Sequence, residues 1–376
     1  MAKCGAASLT PSKKKNRIYV QGSKARKFSR EQHLMTCKKS QTPCTLAISF
    51  ITLLLLATPT LAHVNWFVEA QGDVAPNYEF SEPIFIAWLG LASLMVAFSV
   101  WLDGKLPVLR IVDTKTRHDF IEILRIFTGM SFLLTAYEGA LIAPHHVMEG
   151  PFITKLLFLQ AGIGIILIAN RWLKYAAVLM LILHLGVLIT CGIAAALEYS
   201  IVVGSALFLL FNNLTDPKMR DRYKTYSVAA LRIWTGISLV ALAIGEKLAP
   251  SALGQTFVAT YQWNFMQALG FEVFDDRMFV LSAGMVEAVI GIVLILGTTV
   301  RLAVLALSVM MAISNIVFIL QSNNEAAIVE FVGHMPIIGT ALILLLLGYG
   351  QRLKLTEMIG LDPEPAKNRK VAQSGW

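Results

Sequence analysis

Leu124-Arg125-Ile126-Phe127-Thr128-Gly129 and Leu231-Arg232-Ile233-Trp234-Thr235-Gly236 are one pattern written twice. Each copy opens an apolar stretch, and each stretch closes on an acidic residue shortly before Ala-Pro. The closures are Glu138 before Ala143-Pro144 and Glu246 before Ala249-Pro250. A helical unit that recurs with its polar residues in register implies a duplicated bundle with matching polar groups at matching depths.

Composition sets the medium. Hydrophobic residues make up 56% of the chain and charged ones 15%. Several apolar runs reach the roughly 20 residues that cross a bilayer core. Lipid offers the backbone no partners, so such runs are helices. The formal charge of +8 is then an orientation signal rather than a nucleic-acid footprint. Nine spans are expected, at 83–102, 120–143, 152–169, 175–197, 200–214, 228–249, 279–297, 300–320 and 326–349.

Residues 1–62 read as a long basic n-region, a short apolar run at 45–56, and Thr60-Leu61-Ala62 as a cleavage site. The other reading is an uncleaved anchor. Either one puts His63 outside. Cys4, Cys37 and Cys44 precede the proposed cut, so only Cys191 remains, with no disulfide or cysteine-based zinc site. Lysine and arginine cluster in alternate connections, for example Lys174, Arg220 and Arg301. Those connections are expected inside, which makes the two repeats parallel and leaves the C-terminus cytoplasmic. The expected divisions are 63–119 (tail, first span, linker), 120–225 (unit one), 226–350 (unit two) and 351–376 (cytoplasmic tail).

The repeat extends beyond its opening. Gln160-Ala161 with Gly164 corresponds to Glu287-Ala288 with Gly291. Lys174 corresponds to Arg301, and Gly204-Ser205 to Gly339-Thr340. With Gly245-x-Lys247-Leu248 and Leu296-Gly297 before Arg301, these residues resemble the DoxX/DoxD family of four-helix membrane proteins, most fully over 228–348. Unit one has Gln160 where unit two has Glu287, and no counterpart of Lys247. The resemblance implies an all-α membrane fold of two parallel four-helix units plus one N-terminal helix. It also implies a subunit of a bacterial inner-membrane redox pathway linked to quinone or a periplasmic reductant.

Ionisable residues inside spans are costly and tend to face the bundle interior. Glu287 lies about eight residues into its span, roughly 12 Å deep at the helical rise of ~1.5 Å per residue. It is expected to be protonated or paired with Lys247 or Arg232, and these three are the candidate catalytic residues. Arg125 and Arg232 have two readings: snorkelling to the interface, or interior ion pairs, with Glu122 beside Arg125. His184 is expected to make a core hydrogen bond, and Met310-Met311 to be packing.

A second chemistry competes. A cut after Ala62 leaves His63 as an N-terminal residue whose α-amine and ring nitrogen chelate copper. Val64-Asn65-Trp66-Phe67 would then rest at the membrane interface. His145, His146, His334 and Glu330 are the candidate further ligands on the same side, with Glu138 and Glu246 behind them. The aromatics Tyr261, Trp263, Phe265 and Phe271 of the 250–276 connection mark an interfacial segment or a quinone entrance. No nucleotide loop, HExxH, CxxC or haem-attachment motif is present. The expectations are therefore a redox subunit with quinone, a copper-binding or copper-transporting protein, or a non-catalytic membrane partner.

Overall fold

The computed structural model describes residues 64–69, 74–106, 117–350 and 352–360. The proposed signal segment, His63, the linker 107–116 and the tail 361–376 lie outside the described residues.

A short 3-10 turn, Val64–Trp66, is followed by helices α1 (Pro83–Asp103), α2 (Arg117–Tyr137), α3 (Pro151–Ile168), α4 (Leu173–Glu198), α5 (Ile201–Asn212), α6 (Pro217–Lys224) and α7 (Ser227–Leu242). A π-helical segment, Ala243–Leu248, continues α7. Then come α8 (Leu253–Tyr261), α9 (Phe265–Ala268), α10 (Asp276–Leu296), α11 (Val300–Leu320), α12 (Asn324–Leu347) and α13 (Leu355–Met358). Among the described residues no strand occurs. Seven helices are long and apolar enough to cross a membrane: α1, α3, α4, α7 with its π extension, α10, α11 and α12. α2 is as long as α1 but carries charges in its first turns, and α5 is a shorter apolar helix. α2 ends at Tyr137, earlier than expected, because Gly139 turns the chain at φ +74°.

The two quoted hexapeptides make the same contacts. Gly129 packs on Gly164, and a Cβ added at either would come within 3.1 Å of the other's carbonyl oxygen. Gly236 packs on Gly291 in the same way, at 2.5 and 2.7 Å. Small residues let helix backbones meet where lipid gives no hydrophobic drive for association. Gly204 on α5 rests on Leu231 and Trp234 of α7, while Gly339 on α12 rests on Leu124 and Phe127 of α2. α5 thus packs on α7 as α12 packs on α2. This leaves α2, α5, α7 and α12 at the centre.

The two arginines are neither snorkelling nor paired with a distant acid. Arg125 Nη1 donates to the carbonyls of Leu167 and Ile168, both at 2.9 Å, at the end of α3. It keeps Glu122 as a neighbour at 3.3 Å. Arg232 is fully buried and donates to Leu294, to Ile295 at 3.0 Å and to Leu353 at 2.7 Å. Its guanidinium occupies the space beside Gly297, whose φ of +78° ends α10. Arg301 does the same for α12 through Leu345 and Leu346, both at 2.8 Å. A helix C-terminus leaves carbonyls unpaired and carries partial negative charge, so an arginine is its natural cap in lipid. At the same end Asp103 ties α1 to the rest. It accepts from the Thr299 amide (2.9 Å), Thr356 Oγ1 (2.8 Å) and Lys354 Nζ (2.8 Å).

Gly236→Val should force α7 and α10 apart and destabilise the protein by about 1–3 kcal/mol. The check is the yield of monodisperse protein in detergent and its thermal midpoint. Gly90→Ala on α1, where an added Cβ meets nothing within 4 Å, should leave both unchanged. Equal behaviour of the two variants would remove the close glycine contact from the account of the fold.

Candidate functional site

The site grows from the π-helical turn. Glu246 and Lys247 are adjacent in sequence, yet both are buried, at 0% and 3% exposure. The wider π turn reduces the angle between consecutive side chains, and such turns recur at functional positions. Lys247 Nζ lies 2.8 Å from Glu287 Oε2 on α10 and 3.4 Å from Glu246 Oε2. Glu246 Oε2 also accepts the backbone N–H of Val64 at 3.1 Å. A lysine taken out of water is tolerated only with close opposite charge, and here it has two carboxylates.

The chain leaving the π turn is irregular, and Asn77 holds it. Its Nδ2 donates to the carbonyls of Lys247 (2.8 Å) and Ala249 (3.1 Å), and its Oδ1 accepts from Gln255 Nε2 at 2.7 Å. Gln160, at the place of Glu287 in the other half, is also fully buried. It accepts from the Ile142 amide at 2.8 Å and donates to Thr135 Oγ1 at 2.9 Å and to the Phe132 and Ala140 carbonyls, both at 3.2 Å. One half thus braces its turn with a neutral amide, and the other places charge there.

A second cluster sits on α12. Glu330 is fully buried; its Oε1 accepts from Ser314 Oγ at 2.8 Å, while Oε2 has no hydrogen-bond partner. His334 Nδ1 lies 2.8 Å from the Glu330 carbonyl oxygen and 3.5 Å from Glu330 Oε1. A backbone carbonyl only accepts, so Nδ1 carries the hydrogen and Nε2 the lone pair. Trp66 joins this cluster to the rest. Its ring centroid is 4.9 Å from that of His334, and its Nε1 donates to Tyr199 Oη at 3.1 Å. Gly333 leaves room for the indole, and a Cβ there would overlap it. Phe67 enters a nest of Phe257, Tyr261 and Phe318. The segment expected at the membrane interface is therefore seated in the mouth of the bundle.

The remaining candidates divide. His145 and His146 stand together with ring centroids 4.0 Å apart, beside Tyr199 at 6.0 and 5.3 Å. Tyr199 and Trp66 separate them from His334. Burial pushes His145 down to about 3, helped by His146, and burial lowers His146 as well. Among the described residues no three of His, Cys, Asp and Glu are arranged to hold a metal. His63 lies outside the described residues. Arg232 is at the far end of α10, capping it, and does not reach Glu287. Glu138 is exposed, unlike Glu246, because α2 ends in a turn with no π extension. His184 Nδ1 has no hydrogen-bond partner, contrary to the expected core bond. Of the 250–276 aromatics, Trp263 is 3% exposed and Phe265 packs edge-on against Phe279; only Phe271 faces outward. α8 and α9 of that connection pack on the helices beneath them, while Leu269, Phe271 and Val273 are exposed.

Trp66, Asn77, Tyr199 and Ser314 are site residues that no motif announced. Comparison with family models, curated proteins and solved structures finds no match for the chain. The site is therefore read from its own geometry.

Lys247→Met should strand two buried carboxylates and cost about 3–5 kcal/mol. Glu287→Gln, which keeps the shape and an acceptor oxygen, should cost about 1–3 kcal/mol. Thermal unfolding in detergent measures both, and a Lys247→Met protein as stable as wild type would show that the lysine is not the counter-charge. The histidine pair gives a pH dependence. His145 stays neutral in the fold but takes a proton when unfolded, near its ordinary pKa of about 6.5. Its contribution to stability is complete above about pH 6.5 and is lost progressively as pH falls toward 3. The unfolding midpoint should decline over that window, and His145→Phe should flatten the decline. A wild-type midpoint constant from neutral pH to about pH 4 would contradict a buried neutral His145.

Proposed function

We propose that the chain is the integral membrane subunit of a bacterial redox pathway of the DoxX/DoxD type, with the Lys247 site as its proton-handling centre. The observation that carries the reading is Lys247 held between Glu246 and Glu287 with all three buried. Buried ionisable groups within spans are functional more often than structural. Reduction of a quinone consumes two electrons and two protons. The electrons would come from a periplasmic reductant, and Lys247 with Glu287 would pass two protons in turn, one to each quinone oxygen, and regain each from water.

In this reading α2 and α5 join the seven apolar helices to give nine spans. Residues 120–225 and 226–350 are two parallel four-helix units in the inner membrane. The matched glycine contacts support that division. The arginine-capped end is cytoplasmic, where Arg171, Lys174, Arg220 and Arg301 gather, and the Lys247 site lies toward the periplasm.

Membranes containing the protein should reduce a short-chain quinone when supplied with thiosulfate or another small sulfur or thiol donor. Glu287→Gln should lower that rate at least about tenfold, the usual weight of one proton-transfer group. Absence of donor-dependent reduction with folded protein would leave the non-catalytic partner reading.

One observation favours the copper reading as the second. The Val64 amide rests on Glu246 Oε2 at 3.1 Å. His334 Nδ1 lies 2.8 Å from the Glu330 carbonyl oxygen, the orientation that a metal-ligating histidine commonly takes. The described residues supply that one nitrogen, and an N-terminal His63 would supply two more. Copper bound per chain, measured on protein whose mature N-terminus has been mapped by mass spectrometry, separates the two readings. A chain that begins elsewhere than His63, or copper retained by His334→Ala, would exclude this one.

A further inference from the structure

Three connections that are far apart in the chain meet at the arginine-capped end of the bundle. Residues 169–172 join α3 to α4, residues 213–226 join α5 to α7 and contain α6, and Arg352 lies beyond α12. Lys174 Nζ donates to Thr215 Oγ1 at 2.9 Å, which ties the first connection to the second. The Arg352 guanidinium lies over the Tyr226 ring, 6.0 Å from its centroid, which ties the third to the second. α6 folds back on the end of α5, where Tyr223 stacks on Phe211 with centroids 5.5 Å apart. None of its eight residues is buried.

The face so assembled is cationic. It carries Arg171, Lys174, Lys218, Arg220, Arg222 and Arg352, all exposed except the half-buried Lys174. Among the described residues none of these six makes an ion pair. The acids close by do not cancel them. Asp216 caps α6 by accepting from the Lys218 amide at 3.0 Å, and Asp221 stands between Arg220 and Arg222. Glu122 is paired with Arg125 at 3.3 Å. Like charges gathered on one surface create a field that concentrates anions there.

The position of the face names the source of the anion. α4 begins at Leu173 and α7 at Ser227, and both are apolar enough to cross a membrane. Arg171 and Lys174 flank the first of these starts, and α6 immediately precedes the second. The cations therefore stand where hydrocarbon gives way to headgroups. Trp172 and Tyr175, 71% and 58% exposed, present rings at the same level, as aromatics of a membrane–water interface do. We propose that this face docks the headgroups of anionic phospholipids in the adjoining leaflet. Each lysine or arginine near a charged bilayer surface adds to the attraction, so the effect sums over the face and requires no single coordination shell. The inference uses neither the redox nor the copper reading.

The test uses full-length protein reconstituted in phosphatidylcholine bilayers with a trace of spin-labelled phosphatidylglycerol or spin-labelled phosphatidylcholine. The fraction of each label immobilised on the protein gives their relative association. Phosphatidylglycerol should be preferred, and high salt should remove the preference. The double variant Arg220→Gln, Arg222→Gln should lose most of it while keeping the wild-type unfolding midpoint in detergent, since both side chains are exposed. Arg352→Gln, on another connection, should lose part of it and carries the test if the double variant fails to fold. Lys155→Gln, at the start of α3 and so at the opposite end, should keep the full preference. Equal association of the two lipids with the wild-type protein would overturn the proposal. A loss as large in Lys155→Gln would assign the preference to net charge and overturn the face equally. A midpoint in detergent raised by inorganic phosphate as much as by phosphatidylglycerol would make this a site for free anions, and binding of polyglutamate in place of lipid would make it a site for an acidic protein. Either result would overturn the lipid assignment.

Discussion

A lysine ammonium in an apolar bundle is the constraint around which this protein is arranged. Lys247 is buried at 3% exposure, and among the described residues Glu246 and Glu287 meet the cost of that position. Everything near it serves the arrangement. The π turn points two consecutive charged side chains inward, and Asn77 closes the backbone that the turn leaves irregular. Val64 supplies one more donor to Glu246. Phe257 of α8 packs on Trp263, and Trp263 on Phe318.

The helical frame was legible because its determinants are local. Apolar runs, the Pro at the start of a helix and the glycine at its end are read residue by residue. The observed bounds of α11 match the expected 300–320. The pairing of Gly129 with Gly164 and of Gly236 with Gly291 follows from a repeated sequence, since a repeated glycine implies a repeated close approach. The site was less legible, because its partners are far apart in the chain. Lys247 and Glu287 were both visible as costly charges, and their pairing was one of two options. Trp66, Asn77 and Tyr199 carry no motif, and only tertiary contact makes them part of the site.

Two misreadings share one cause. Arg125 and Arg232 were weighed only against water and carboxylates; Glu122 does stand beside Arg125 at 3.3 Å, but both arginines also bind helix-terminal carbonyls, which no side-chain inventory contains. Glu138 and Glu246 were treated as equivalents because each precedes Ala-Pro. The backbone decides otherwise. α2 stops at Tyr137 and turns through Gly139, leaving Glu138 exposed. α7 continues through a π turn, which buries Glu246. Similar letters at a helix end do not specify which way the last turn winds.

The two halves therefore share a frame and differ in charge. Where one has Gln160, Tyr199 and an exposed Glu138, the other has Glu287, His334 and a buried Glu246. In the neutral half Gln160 is satisfied locally, by three backbone groups and Thr135 Oγ1. The charged half pairs Lys247 with its own Glu246 and Glu287 and adds further contacts. It draws them from outside itself: Val64, Trp66 and Asn77 all come from the chain before α2. The segment preceding α2 thus adds one donor to a buried carboxylate, through Val64, and closes the backbone after the π turn, through Asn77.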